Sequence, residues 1–355
     1  MLVRRRGNLD MLVHRVTRRG SSVLRTPRRA AWAVLLVVGL AWVDRAAAQD
    51  PQDPEVLAAV SQAMSNPISS LIILQNQFQF TQYKPPAGWT TPPGVVYPTD
   101  EEWGFQYQLI GMVPAPLGSK LNLISRVGVP VYGSPYSKEL NAIVGQSGVS
   151  DDIVWSDLPT IEDPTQRTWG LGDLWYLGLV APRAPIEAGS GTLLLAAGPT
   201  LMMNTATEAV LGLGKWSSGA GALLGWTSSK WMFAVLGMQF WSFAGSETRA
   251  DVSLMSMQAV YSYTINAKWS LGASPMAQFN WKATSGNKIT FPVGMGINYT
   301  SFWGKLPVRT SLEVDYAVIH PSDLPGSRWV VKLSIIPVIP APWGDLAKAL
   351  KAGSD

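Results

Sequence analysis

From residue 70 onward the chain alternates apolar and polar positions with a period of two, the pattern of strands that bury one face. In 288–299, Ile289, Phe291, Val293, Met295, Ile297 and Tyr299 share one face, and Thr290, Gly294, Gly296 and Asn298 occupy the other. In 307–318, Val308, Leu312, Val314, Tyr316 and Val318 oppose Arg309, Ser311, Glu313 and Asp315. Trp329, Val331, Leu333 and Ile335 likewise oppose Arg328, Lys332 and Ser334, and Trp269, Leu271, Ala273, Ala277, Phe279 and Trp281 oppose Ser270, Gly272, Ser274, Gln278 and Asn280. The pattern predicts twelve strands: 70–82, 102–113, 120–132, 170–180, 191–202, 214–225, 230–243, 251–263, 268–282, 288–298, 306–319 and 327–338.

An apolar face set against charge, amide and glycine suits a sheet whose outside is lipid. Hydrocarbon cannot hydrogen-bond an open sheet edge, so such a sheet must close on itself with its polar face inward. A soluble β-sandwich would carry the same period with its faces inverted. Against it stand the sixteen tryptophans and strands mostly longer than the ~9–11 residues that a tilted crossing needs. Trp269 and Trp281, near the two ends of one strand, suit a pair of interfacial girdles. The expected fold is all-β: a closed antiparallel transmembrane β-barrel of about twelve strands, with a short N-terminal helix and a C-terminal tail.

The connections agree. Loops 83–101, 133–169, 203–213, 244–250, 283–287 and 320–326 include the two longest, and 114–119, 181–190, 226–229, 264–267 and 299–305 are the intervening turns. Long loops outside and short turns in the periplasm place both termini in the periplasm. Pro130, Pro199, Pro275, Pro292 and Pro337 sit in or near predicted strands, where each removes a ladder donor; Pro275 falls mid-strand and implies a bulge. The tail 341–355 follows the last strand, so the signal for the barrel-assembly machinery has to be internal.

Charge changes the picture at the N-terminus. The chain is formally +4, but residues 1–48 hold ten arginines against Asp10 and Asp44, which leaves 18 basic and 22 acidic residues in the remainder. The basic excess therefore speaks for export, not for nucleic acid. Arg4–Arg6, Arg15, Arg18, Arg19, Arg25, Arg28 and Arg29 precede an apolar run from Ala30 to Val43, and Ala46-Ala47-Ala48-Gln49 offers a cleavage site. That order is a signal peptide over 1–48, the run being too short for a spanning helix that needs roughly 20 residues; an N-terminal membrane anchor is the other reading. Residues 49–69 form a periplasmic segment with a short helix expected over Glu55–Met64, ended by Asn66-Pro67, and read as a plain linker before a plug or cap. The barrel is expected over 70–340.

The chain resembles a family of Gram-negative outer-membrane proteins often labelled transporters, some under the misleading label neuromedin U, and related to the barrels named for a phenol-degradation (MetA) pathway. The resemblance rests on Asn66-Pro67-Ile68-Ser69-Ser70-Leu71 with Leu74-Gln75-Asn76, Asn122-Leu123-Ile124-Ser125-Arg126 and Gly170-Leu171-Gly172-Asp173. It continues through Gly198-Pro199, Thr205-Ala206-Thr207, Gly212-Leu213-Gly214-Lys215-Trp216 and Trp241-Ser242-Phe243-Ala244-Gly245. It implies a single barrel in the cell outer membrane that moves small or apolar molecules, with no catalytic signature to carry over.

Candidate chemistry is sparse. Without cysteine there is neither a disulfide nor a thiolate metal site, and His320 is the one histidine beyond the leader. No metal and no cofactor is expected. Arg126, Asp173, Lys282, Arg309, Glu313, Asp315, Arg328 and Lys332 are the expected lumen-lining charges, serving either as a selectivity lining or as ion pairs that fill a narrow bore. Glu313 and Asp315 on one strand can meet Arg328 and Lys332 on the next. The facing assignment implies that an arginine at Leu333 damages insertion while Lys332→Ala is tolerated. Asp151, Asp152, Asp157, Glu162 and Asp163 read as solvated loop charge, since their spacing departs from a calcium loop. Gly212–Lys215 lacks the spacing of a phosphate loop. His320 and Ser322 are the one place for a barrel hydrolase, although a turn seldom gives such neighbours catalytic geometry. The expected function is passive transport of small molecules, apolar ones included. The alternative is a non-conducting structural or surface-interaction barrel with loop 133–169 as its partner-binding element. Expected partners are outer-membrane lipid, lipopolysaccharide, the assembly machinery and a small-molecule solute.

Overall fold

The computed structural model describes residues 60–61, 64, 71–84, 101–135, 167–247, 249–283, 285–304, 306–322 and 326–341. They form β1 (Leu71–Lys84), β2 (Glu102–Leu117), β3 (Leu121–Ser134), β4 (Thr168–Leu171), β5 (Leu174–Pro182), β6 (Ile186–Ala188), β7 (Gly191–Met203) and β8 (Lys215–Thr227). After these come β9 (Trp231–Gly245), β10 (Ser253–Thr264), β11 (Trp269–Ala273), β12 (Met276–Asn280), β13 (Ile289–Trp303), β14 (Leu306–Ile319) and β15 (Gly326–Pro340). β4, β5 and β6 are successive pieces of one stave between β3 and β7, and β11 and β12 are two pieces of another between β10 and β13.

The staves number twelve, each antiparallel to its neighbours, and β15 pairs with β1 from Leu71↔Pro340 to Lys84↔Gly326 to close the ring. Closure leaves no open edge, as a hydrocarbon surrounding demands. Every predicted strand has its counterpart. The strand expected to end at 113 runs to Leu117, and the one expected to end at 298 runs to Trp303. Both extend because the chain reverses in tight turns at Gly118 (φ 69°) and Gly304 (φ 63°), where glycine accepts a left-handed backbone without steric cost.

The faces follow the alternation. On β14, Leu312, Val314, Tyr316 and Val318 are exposed on the outside, while Arg309, Glu313 and Asp315 are buried inside. On β15, Leu333 is 40% exposed and Lys332 7%. Val308 shares the outward parity but is buried, opposite Pro337 across the ladder. Trp103, Trp169, Trp216, Trp241, Trp281 and Trp329 stand exposed toward the long-loop end, and Trp231, Trp269 and Trp303 toward the short turns. Asn76, an amide on the outer face, accepts from the Tyr107 hydroxyl at 2.8 Å and donates to the Leu74 and Ile335 carbonyls. A polar group facing lipid needs such partners.

Three of the strand prolines coincide with lapses in the ladder. Pro199 lies where the β5–β7 pairing is interrupted, Pro292 at a register shift of β13, and Pro275 at the break between β11 and β12. At that last break the sheet keeps its register, so the wall is locally unlaced without being displaced.

Candidate functional site

The interior is divided by chemistry. Inward side chains of β2 to β9 (Ile110, Met112, Ile124, Trp175, Leu177, Leu179, Leu194, Leu223, Leu236, Met238 and Phe240 among them) form one apolar cluster. Amides line the bore beside it, on β1 and the long-loop half of β2. On β1, Gln75 donates to Gln77 at 3.0 Å, Gln77 to Gln79 at 3.3 Å, and Gln79 to the Thr81 hydroxyl at 3.1 Å. Across the ladder Gln77 lies opposite Gln108, and Gln79 opposite Gln106.

Two cavities lie along the bore. The one nearer the long loops, about 580 Å³, is bordered by Gln77, Gln79, Gln106, Gln108, Trp175, Met202, Met238, Phe240, Asp315 and Lys332, with Val210–Leu213 of loop 204–214 adding to its lining. The other, about 170 Å³, lies toward the short turns and is bordered by Met64, Gln75, Met112, Met232, Arg309, Glu313 and Ser334. Ile110, Arg126, Gln258 and Ser274 border both and so form the waist.

The strongest charge cluster serves the wall break. Lys332 Nζ lies 2.9 Å from Glu313 Oε1 and 2.6 Å from Asp315 Oδ2, with all three side chains buried. Glu313 accepts from the Ser274 N–H at 3.0 Å and from its hydroxyl at 3.2 Å, and Lys332 donates to the Ser274 carbonyl at 3.3 Å. The backbone groups freed by Pro275 are thus taken up from inside. From its own element, the Tyr261 hydroxyl donates to the Gly294 carbonyl opposite the break at 2.5 Å. Gly294 is required here, since a Cβ would meet Asp315 Oδ1 at 1.8 Å.

The other predicted charges go to different duties. Asp173, between β4 and β5, accepts N–H bonds from Thr205, Ala206 and Leu213 at 3.0, 3.1 and 2.6 Å and so ties loop 204–214 to the rim. Thr207 adds a two-way link to Leu171, and Arg249 caps the loop by donating to the Ala209 and Gly212 carbonyls. Arg309 donates to the Ser61 carbonyl at 2.7 Å and to Thr300 at 3.4 Å. Val60 and Met64, helical like Ser61, pack on Leu71 and Val338 with Ile73 and Ile336 beside them. The expected linker therefore has part of its helix seated in the short-turn mouth, because Val60 and Met64 find an apolar ledge there. Two expectations are corrected. Lys282 is exposed in the turn beyond β12, which ends at Asn280, and does not line the lumen. Arg328 sits half-buried at the register shift between β1 and β15, and among the described residues no ion pair joins it to Glu313 or Asp315.

The glutamines of β1 and β2 did not enter the predicted set, although their period-two spacing, Gln75-Gln77-Gln79 and Gln106-Gln108, is visible in the chain. Arg126 holds its guanidinium 6.0 Å from the centre of the Trp175 ring, which lies over Gly128, where a Cβ would meet the indole at 2.1 Å.

No family model and no curated protein matches the chain. An outer membrane channel from Pseudomonas putida F1 superposes on 82% of this chain and 100% of its own, with 15% identity and a TM-score of 0.51. The fold is that of an outer-membrane β-barrel. The NanC porin (8% identity, TM-score 0.41, 74% of this chain and 98% of its own) and the outer membrane phospholipase A of Escherichia coli (10%, 0.38, 75% and 90%) are more distant and add nothing to that statement.

In this barrel the acids Asp151, Asp152, Asp157, Glu162 and Asp163, and with them most of loop 133–169, lie outside the described residues. So do residues 1–48, expected to be a signal peptide, and those beyond Ala341. His320 Nδ1 donates to the Pro321 carbonyl at 2.7 Å, which commits that nitrogen to backbone.

Proposed function

We propose that the barrel passes small molecules passively across the outer membrane through a narrow lumen of two chambers. The observation that carries this reading is the pair of cavities along the bore, lined by a row of amides on β1 and β2 and by an apolar cluster beside it. Such a lining hydrogen-bonds a polar group and packs an apolar one in the same passage, which suits solutes with apolar bodies. Twelve staves enclose a bore between side-chain-filled eight-stranded barrels and open sixteen-stranded channels.

The second reading, a closed barrel with a structural role, draws on the helical residues Val60, Ser61 and Met64 in the short-turn mouth, with Ser61 fastened by Arg309. Single-channel recording in planar bilayers separates the two. Wild type is expected to conduct weakly, and Arg309→Ala, which unfastens the segment, to conduct more or open more often. A wild-type current equal to that of a general porin refutes the narrow bore. Silence from both proteins favours the structural reading.

A further inference from the structure

Three cations border the two cavities: Arg126, Arg309 and Lys332. Lys332 is matched by two carboxylates, and Arg309 is held by Ser61 and Thr300. Arg126 differs. Among the described residues no carboxylate pairs with it, its Nε is buried without a hydrogen-bond partner, and Trp175 supplies only the face of a ring. Its ladder partners are Met112 and Leu177, both buried and apolar. Its Nε has given up hydration without gaining a hydrogen-bond partner, while the side chain as a whole stays half-buried at the edge of both cavities with no counter-charge beside it. It also stands at the waist, which a solute crossing from one chamber to the other must pass.

We infer that Arg126 is an anion-selecting site, and that the class of solute it admits is the small organic acid: one carboxylate with an apolar body. The carboxylate takes the fork of the guanidinium, whose planar donors fit two oxygens at once. The body lies on the apolar side of the waist, at Ile110 and Trp175. Gln258, on the same waist, is a further donor for a carboxylate oxygen. The charge acts strongly here because the wall around it is apolar.

This inference rests on the transport reading, and the experiment separates the two. The full barrel is reconstituted in liposomes, and swelling rates are compared for butyramide, butyrate and butylammonium, which share size and differ in charge. Wild type is expected to favour butyrate over butylammonium by about tenfold, the weight of one charge contact. Arg126→Gln should erase that preference, read as the ratio of butyrate to butylammonium within each variant with butyramide as the neutral reference for the altered waist, and Arg126→Lys, which keeps the charge, should retain part of it. Heat-modifiable gel mobility confirms that each variant is folded. Butyramide passage with a butyrate preference unmoved by Arg126→Gln overturns the anion site and leaves transport standing. If no solute passes, transport falls, and calorimetric titration of butyrate into the detergent-solubilised barrel decides the site alone. Binding lost in Arg126→Gln upholds it, and no binding in wild type overturns it.

Discussion

Removing Lys332 tests the account of the wall break most directly. Its ammonium lies 2.9 Å from Glu313, 2.6 Å from Asp315 and 3.3 Å from the Ser274 carbonyl. Asp315 Oδ1 has no hydrogen-bond partner among the described residues, so Lys332 is the cation that makes this pair of acids tolerable. Lys332→Met leaves two adjacent buried carboxylates and an unpaired carbonyl beside Pro275. Breaking a buried ion pair from one side costs roughly 3–5 kcal/mol. Water in the neighbouring cavity screens part of this, so the lower end, about 3 kcal/mol, is expected. Neutralising all three groups together, as Glu313→Gln, Asp315→Asn and Lys332→Met, should restore most of it, because exchanging a whole buried ion cluster for neutral groups is often close to even. The assay is urea unfolding in phospholipid vesicles, followed by tryptophan fluorescence and gel mobility. A single-variant loss below about 1 kcal/mol, the scale of an exposed pair, refutes the reasoning. This reverses what alternation alone suggests, that Lys332→Ala is tolerated.

Two further outcomes are expected. Leu333→Arg, on the outer face, should lower stability by roughly 2–4 kcal/mol if it lies near the bilayer midplane; equal stability in the same urea titration contradicts the facing of β15. Mass spectrometry of outer-membrane fractions should find the mature N-terminus near Gln49, and an intact 1–48 segment there contradicts a cleaved leader.

The staves were legible because alternation is a property of the chain itself: each strand must show lipid one face and the lumen the other. Leu312, Val314, Tyr316 and Val318 against Arg309, Glu313 and Asp315 is enough to orient β14. The duties of the inward groups were not legible, because they depend on which stave lies beside which break. Glu313 and Asp315 could be matched to the following strand, but choosing Lys332 over Arg328 needed the β14–β15 register, which sets Glu313 opposite Lys332. Pro275 signalled a defect without saying what repairs it; the repair comes from Tyr261 on one side and Glu313 and Lys332 on the other. Asp173 looked like a lumen charge and is a loop anchor, since its acceptors meet three N–H groups about thirty to forty residues further along. The amide ladder carries no charge, so in the sequence its glutamines are indistinguishable from the ordinary polar positions of an alternating strand.

The helical residues Val60, Ser61 and Met64 bear on how the ring is completed. The last joint to form in a chain threaded from one end is that between its first and final staves, and here the apolar ledge made by Leu71 and Val338 straddles that joint, with Val60 and Met64 pressed across it. Until β15 meets β1, half of the ledge is missing and the helix has nothing to rest on. Once they meet, the helix buries both halves together and acts as a clasp over the joint. A segment that precedes the barrel in sequence thereby becomes the piece that rewards its correct completion, and a ring closed out of register would leave the clasp without a seat.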